Sequence, residues 1–468
     1  MSPIGKIVGR VRSGASSARA EVEAALARAQ SAEEYHALLS LTDERALQRA
    51  DGIDARLKNG ETVGPLAGVP FVVKDNYLAF GAPTTAAARI LENFQAPVQA
   101  TVVEKLEAAG AICIGKSNLD AFAHGGSTEN SAFGVTHNAV DTTKVAGGSS
   151  GGSAVVTALD IVPFALGSDT GGSIRQPASF NGIYGMKPTY GMTSRYGVVA
   201  MASSTDCMGC FARSAADVAL VLSIMAGQDD KDMTTLPDFF IPTNEVKPGL
   251  RIGVIKETMN ADVDEDVLTA TNAYIEQLRT AGHTVEEVSM PSSPLALAMY
   301  YIIVPAEVSS NLARYDGIRY GYRAAAQTLA ELYGKSRDEG FVTENKRRIM
   351  IGSYVLSSGF FDAYYQQAQK ARTLLINEFN QLFQRYDVLI TPTAPTAAFG
   401  IGENSSDPVK MYLSDVMTVP ASLAGVPAIS IPAGNTAEGL PIGVQLIGPM
   451  KSDAMLLALA GSMEVAHG

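Results

Sequence analysis

Apolar residues along this chain fall into two recurring patterns. Short runs bounded by glycine, proline or charge have the length of buried strands: Val69 to Val73 in "VGPLAGVPFVVKDN", and "IVPFALGS" from Ile161 to Ser168. Between such runs, apolar residues recur at helical spacing. The Ala-, Glu-, Arg- and Leu-rich stretch from Ala18 to about Asn59 predicts an N-terminal helical segment. "ATVVEKLEAAGAICIGKSN" reads as helix, glycine stop and strand. The same unit returns at "DVLTATNAYIEQLRTAGHTVEEVSM", after the strand-like "GLRIGVIKE". A long helical region follows from Phe341 to Tyr386, and "YDVLITP", "VPAISIPAG" and "LPIGVQLIG" return to strands. Strands alternating with helices predict an α/β sheet. Residues 1–60 are expected to form the helical N-terminal segment and 61–468 the main domain. "KPG" at Lys247–Gly249 marks the seam of an inserted helical lobe over about 250–385.

Composition narrows the function classes. The 468 residues are 46% hydrophobic and 18% charged, a globular balance. Net charge is −12, which makes the chain a poor nucleic-acid binder by itself, since phosphate contact draws on clustered Lys and Arg; any RNA work falls to a partner. No uninterrupted apolar run approaches the roughly 18 residues of a membrane span. The start, "MSPIGKIVGRVRSGASS", is basic but lacks the apolar core of a secretion signal. Three cysteines, Cys113, Cys207 and Cys210, fit a reducing, cytoplasmic setting without disulfides. "CMGC" has no second cysteine pair to complete a zinc site.

The chemistry concentrates in "AGGSSGGSAVVTALDIVPFALGSDTGGSIRQP", Ala146 to Pro177, where two glycine–serine clusters flank an apolar segment. A phosphate loop would need Lys at a fixed place, which neither cluster has. A serine nucleophile needs a base and N–H donors for the oxyanion. Only His124 and His137 lie near the clusters; His36, His283 and His467 stand in peripheral segments. A G-x-S-x-G does run from Gly147 to Gly151, but "NAVDTTKVA" before it is a poor strand for a nucleophile elbow. Lys74, at the end of an apolar strand, is the other candidate base. Desolvation would bring its pKa towards neutrality, and only the neutral amine accepts a proton. A strand-end lysine can equally snorkel to water.

The order "KDN", "GGSSGGS", "GSDTGGSIRQP" and the spacing of its serines resemble the amidase signature family of Ser–cis-Ser–Lys amide hydrolases. The resemblance implies a large mixed twisted β-sheet covered by helices on both faces. It implies Ser173 as nucleophile, Ser149 as bridging serine after a cis peptide, Lys74 as base, and an oxyanion hole from the N–H groups of Thr170, Gly171, Gly172 and Ser173. Further segments, among them "GKSNLDAFAHGGSTENSAFG", "KRRIMIGSYVLSSGFFDAYYQQAQKARTLL" and "DPVKMYLSDVMTVPASLAGVPAISIP", resemble one branch of that family, the A-type subunits of tRNA-dependent amidotransferases. This branch implies glutamine as substrate, with Arg348 on its carboxylate, Asp415 on its ammonium, Tyr300 beside them, and His124 and Gly125 against it. It implies partners of the B and C types in a heterotrimer. ATP and magnesium are then used by the B-type partner on mischarged tRNA, and no cofactor is held in this chain. Asp169 and Arg175, flanking the nucleophile, are expected to pair, and Ser127 and Thr128 to stand on the site wall. Two departures lie in "DAFAHGG": Ala121 stands where that branch has Glu, and His124 where it has Met. "VAGGSSGGS" also lacks the usual Pro, and "DCMGCFAR" the usual Gly-Pro. A stand-alone amide hydrolase and a non-catalytic scaffold in a tRNA-modifying complex are the alternative readings.

Overall fold

The computed structural model describes residues 1–405 and 407–464, so His467 lies outside the described residues. Eleven strands form one sheet: Leu38–Leu41 (β1), Pro70–Lys74 (β2), Ile112–Ser117 (β3), Phe164–Asp169 (β4), Tyr184–Lys187 (β5), Cys207–Ala212 (β6), Arg251–Ile255 (β7), Thr284–Val288 (β8), Val388–Pro392 (β9), Ala428–Asn435 (β10) and Pro441–Ile447 (β11). Their order is β1-β3-β2-β4-β6-β5-β10-β11-β9-β7-β8. β3, β2 and β4 run parallel, as do β9, β7 and β8; the remaining neighbours are antiparallel. The sheet is therefore mixed, with a parallel block towards each edge.

Alternation along the strands explains why helices cover both faces. Ile252 and Val254, Val388 and Ile390, Ile429 and Ile431 enter one apolar cluster. Ile255, Leu389 and Ala428, from the same strands, enter the other. Side chains alternate across a strand, so a strand apolar at every position buries both faces. The first cluster also takes residues of the helices Pro3–Ser13, Ala18–Ser31, Ala215–Met225, Glu265–Thr280 and Asp453–Ser462. The second takes Ala296–Asn311, Gln366–Phe383 and Val419–Ala424. The helical run Ser293–Arg314 is long and apolar enough to cross a membrane by length and composition. Here Ile303, Val304 and Val308 pack it into the second cluster as a core helix.

Two expectations are corrected. The N-terminal segment is helical over Pro3–Ser13, Ala18–Ser31 and Asp43–Lys58, but it also supplies β1, which pairs with β3 and ties the segment into the sheet. Four residues are too few to display a period of two against the helices on either side. The stretch from 250 does not open as a helical lobe: β7 and β8, joined through the helix Glu265–Thr280, extend the sheet in parallel beyond β9, and the strands give way to helices from Ala296. β5 and β6 are strands that the hydrophobic pattern does not announce. "CMGC" lies in β6, where Cys207 pairs with Asp169 and Cys210 with Leu166. Three residues apart in a strand, the two cysteines project to opposite faces.

Within the second cluster the helices Ala296–Asn311 and Thr343–Val355 approach closely. A Cβ on Gly352 would collide with the Pro305 carbonyl. Gly352→Val is expected to force these helices apart and cost about 1–3 kcal/mol by overpacking. A thermal melt lowered by several degrees would register it, and a KM change would show the shift reaching Arg348 on the same helix.

Candidate active site

The topology brings two strand ends together. β2 and β4 are parallel neighbours, so Lys74 and the Ser168–Asp169 end of β4 meet at one edge of the sheet. Lys74 is fully buried. Its Nζ reaches Ser149 Oγ at 2.8 Å, Ser168 Oγ at 3.0 Å and the Ser168 carbonyl at 3.3 Å. Burial draws its pKa down to about 7, although Asp120, Asp169 and Asp206 pull the other way. A large fraction of the amine is thus uncharged at neutral pH, which a proton acceptor requires.

Each glycine–serine cluster runs into a helix. The first, with a cis Gly148–Ser149 peptide, leads into Gly151–Ala158; the second leads into Arg175–Phe180. The clusters are stitched together: Ser150 N–H donates to the Ser173 carbonyl at 3.2 Å, and Gly148 N–H to Gln176 Oε1 at 2.9 Å. Ser173 keeps 8% of its surface exposed. Among the described residues no hydrogen bond joins its Oγ to Ser149 Oγ, so the contact present in this state is Lys74–Ser149. The N–H groups of Thr170, Gly171, Gly172 and Ser173 donate to no acceptor among the described residues and stay free for an oxyanion. Gly172 has φ +147°, and a Cβ there would strike Thr418, so only glycine fits. Thr418 Oγ1 donates to the Gly171 carbonyl at 2.6 Å and fixes the loop from outside. The Tyr300 ring closes directly over Gly171.

A pocket lined in part by Gly125, Ser127, Glu129, Arg348, Asn404 and Asp415 reaches this loop through Asp415, whose Oδ1 lies 3.4 Å from where a Cβ on Gly172 would stand. Arg348 is buried. Its Nε donates to Glu344 Oε1 at 2.9 Å, and its guanidinium stands 5.2 Å and 5.7 Å from the rings of Tyr301 and Tyr412. Tyr412 OH donates to the same Glu344 oxygen at 2.9 Å. The terminal nitrogens of Arg348 are left unengaged among the described residues. Asp415 is partly exposed as a residue, but its Oδ1 is shut from solvent and has no hydrogen-bond partner. Burial raises its pKa to about 8, with Arg348 opposing. Ser127 Oγ, Glu129 Oε2 and Asn404 Oδ1, also on the lining, are buried without partners. Such groups are costly unless something absent satisfies them. A guanidinium with free N–H groups and an unpaired carboxyl that a bound cation would ionise fit a molecule carrying both a carboxylate and an ammonium.

The amidase family pattern matches residues 20–457. The chain belongs to the amidase family. This amidase is 51% identical over 437 residues to the A-type subunit of glutamyl-tRNA(Gln) amidotransferase from Thermosynechococcus vestitus, covering 92% of this chain and 90% of that one. It is 48% identical over 470 residues, 99% of this chain and 97% of the other, to the A-type subunit from a Synechococcus species. Among solved structures it superposes on the A-type subunit from Thermotoga maritima with TM-score 0.78 and 37% identity, covering 94% and 90% of the chains. A protein from a vestigial complex tied to the origins of an s-triazine catabolic enzyme gives TM-score 0.87 at 33% identity, covering 99% and 98%.

In this amidase Asp169 and Arg175 do pair, fully buried, at 2.8 Å. Arg175 also donates to the Thr418 carbonyl at 2.8 Å, Gln445 Oε1 at 2.5 Å and Ser422 Oγ at 2.7 Å. Burial alone would raise the Asp169 pKa, but the guanidinium holds it below the usual range. Asp120, which no motif in the sequence singles out, accepts N–H groups from Ser127, Thr128 and Asn130 at 3.3, 2.9 and 3.1 Å. Its own N–H donates to the Ser149 carbonyl at 3.2 Å, so it ties the pocket wall to Ser149. Thr128 Oγ1 donates to the Gly147 carbonyl at 2.7 Å, a tie to the cluster loop. Glu344, Tyr412, Asn404 and Thr418 join the site without any sequence signal of their own. Only an acidic residue before a Gly–Ser wall could have pointed to Asp120; the others converge through tertiary folding.

Amide hydrolysis is expected to rise with pH through one step near 7, because protonated Lys74 cannot accept a proton, and through a second near 8 as Asp415 ionises. A kcat/KM profile between pH 5 and 9 checks this. Lys74→Arg, which stays charged throughout, is expected to lose activity by at least about 10²-fold across that range.

Proposed function

We propose that this chain is the glutamine-hydrolysing subunit of a tRNA-dependent amidotransferase. The reading rests above all on the juxtaposition of unengaged Arg348 nitrogens and the unpaired Asp415 carboxylate beside the Ser173 loop. The resemblance to A-type subunits of glutamyl-tRNA(Gln) amidotransferases agrees with it. Glutamine lies with its carboxylate on Arg348 and its ammonium on Asp415, with Tyr300, His124 and Gly125 against it. Its side-chain amide carbonyl then meets the N–H groups of Thr170, Gly171 and Gly172. Neutral Lys74 takes a proton from Ser149, which takes one from Ser173, and Ser173 Oγ bonds to the amide carbon. The negative oxygen is held by the free N–H groups, where losing one donor typically costs about 10²–10³ in rate. The relay returns its proton to the nitrogen, the C–N bond breaks, and ammonia leaves a glutamyl ester on Ser173. Water, activated by the same relay, hydrolyses that ester to glutamate.

Ammonia passes to a B-type partner, which amidates mischarged Glu-tRNA(Gln) or Asp-tRNA(Asn) with ATP and magnesium. A small C-type partner completes the heterotrimer. The acidic charge of this chain agrees with the tRNA being held mainly by a partner.

Purification from the native host is expected to recover two further chains, and the complex to release ammonia from glutamine. Ser173→Ala is expected to abolish that release while leaving the complex intact, and Ser149→Ala to lower it by at least about 10³-fold. Ammonia release by the chain alone at the rate of the complex would favour a stand-alone amide hydrolase. An intact complex in which Ser173→Ala changes nothing would favour a scaffold.

A further inference from the structure

His124 is fully buried and meets the helix Thr343–Val355 through Asn345. Its Nδ1 lies 2.7 Å from Asn345 Nδ2, and the same Asn345 nitrogen donates to the Ala121 carbonyl at 2.8 Å. The Ala121 contact fixes which end of the Asn345 amide carries the hydrogens, since its oxygen would repel that carbonyl. Asn345 therefore donates to Nδ1, and the imidazole proton sits on Nε2. That Nε2 is shut from solvent and has no hydrogen-bond partner among the described residues. Burial and the neighbouring Arg348 hold the imidazole pKa well below its ordinary value, so the ring is neutral. A buried N–H without an acceptor is costly, and this one belongs to the residue next to Gly125 of the pocket lining. Asn345 and Arg348 are one turn apart on a single helix, and Arg348 is near enough for its charge to act on the imidazole. The unpaired Nε2–H and the free guanidinium nitrogens are all donors, and donors near one another call for an acceptor with several lone pairs.

We propose that the His124 Nε2–H group is a second donor, beside Arg348, to the carboxylate of the substrate, and that it biases this chain towards amides bearing a free carboxylate. Asn345 is the positioning residue that sets the required tautomer. This rests on the reading that the pocket takes glutamine.

The test uses the complex as isolated, carrying Ser173→Ala so that ligand persists, with binding followed by calorimetry. His124→Met is expected to weaken glutamine about 10- to 100-fold, the range for a lost hydrogen bond to a charged group, and to leave glutamine α-amide within about threefold. His124→Gln, which keeps a donor, is expected to restore most of the affinity for glutamine. In the complex with native His124, glutamine is expected to shift the ¹⁵N–¹H signal of His124 Nε2 and the α-amide to leave it in place. Equal glutamine binding by the Met variant, equal loss of both ligands, or an unmoved Nε2 signal would overturn the inference while glutamine still binds. Failure of glutamine to bind the complex with native His124 would instead remove the underlying reading, and the inference with it.

Discussion

One amine kept out of water governs the rest of this site. Lys74 ends a strand buried on both faces, and its nitrogen meets only hydroxyls and a carbonyl: Ser149, Ser168 and the Ser168 backbone. Had a carboxylate touched it, the ammonium would be locked in place and no base would remain. Three carboxylates stand near enough to matter, and they are disarmed in two ways. Arg175 neutralises Asp169. Asp120 and Asp206 are buried enough that their pKa values rise to about 6, and their charge is spent on backbone N–H groups and, for Asp206, on Thr170 Oγ1. The chain thus shields the amine by giving every neighbouring acid another partner.

The second lysine at this edge makes the contrast plain. Lys116, on the adjacent strand β3, is as deeply buried, yet it contacts Asp75 at 2.9 Å. It also donates to the Tyr77 carbonyl and Thr84 Oγ1, each at 2.8 Å. It is a structural cation that ties β3 to the segment following β2. Two lysines in neighbouring strands, equally hidden, differ in role because one has a carboxylate within reach and the other does not.

Much of this was legible in the amino-acid order, and the reasons can be named. The clusters around Ser149 and Ser173 declare themselves because glycine is needed wherever backbone must approach backbone or a substrate. Lys74 was readable because an apolar strand ended on it. Strands alternating with helices announced an α/β sheet, and the family resemblance supplied the helices on both of its faces. What stayed hidden depends on distant pairing. β1 is too short to show a period. β5 and β6 lie between turns rich in glycine and serine. Asp120, Glu344 and Thr418 look like ordinary polar residues until folding sets each against a loop far away in sequence. Cys207 and Cys210 show the converse, a suggestive spacing whose two side chains a strand sends apart.

Arg175 is the residue through which the last part of the chain reaches the nucleophile. Thr418, Ser422 and Gln445 satisfy it, and they lie in segments about 250 residues later, Gln445 within β11. Thr418 holds the Gly171 carbonyl at the same time. During synthesis the serine clusters and Lys74 emerge long before these partners. Until the final strand pairs, the guanidinium lacks most of its acceptors and the loop lacks its outer brace. Hydrolytic competence is thereby deferred until β11 has been made, and a chain cut before it carries the reactive residues without the scaffold that arms them.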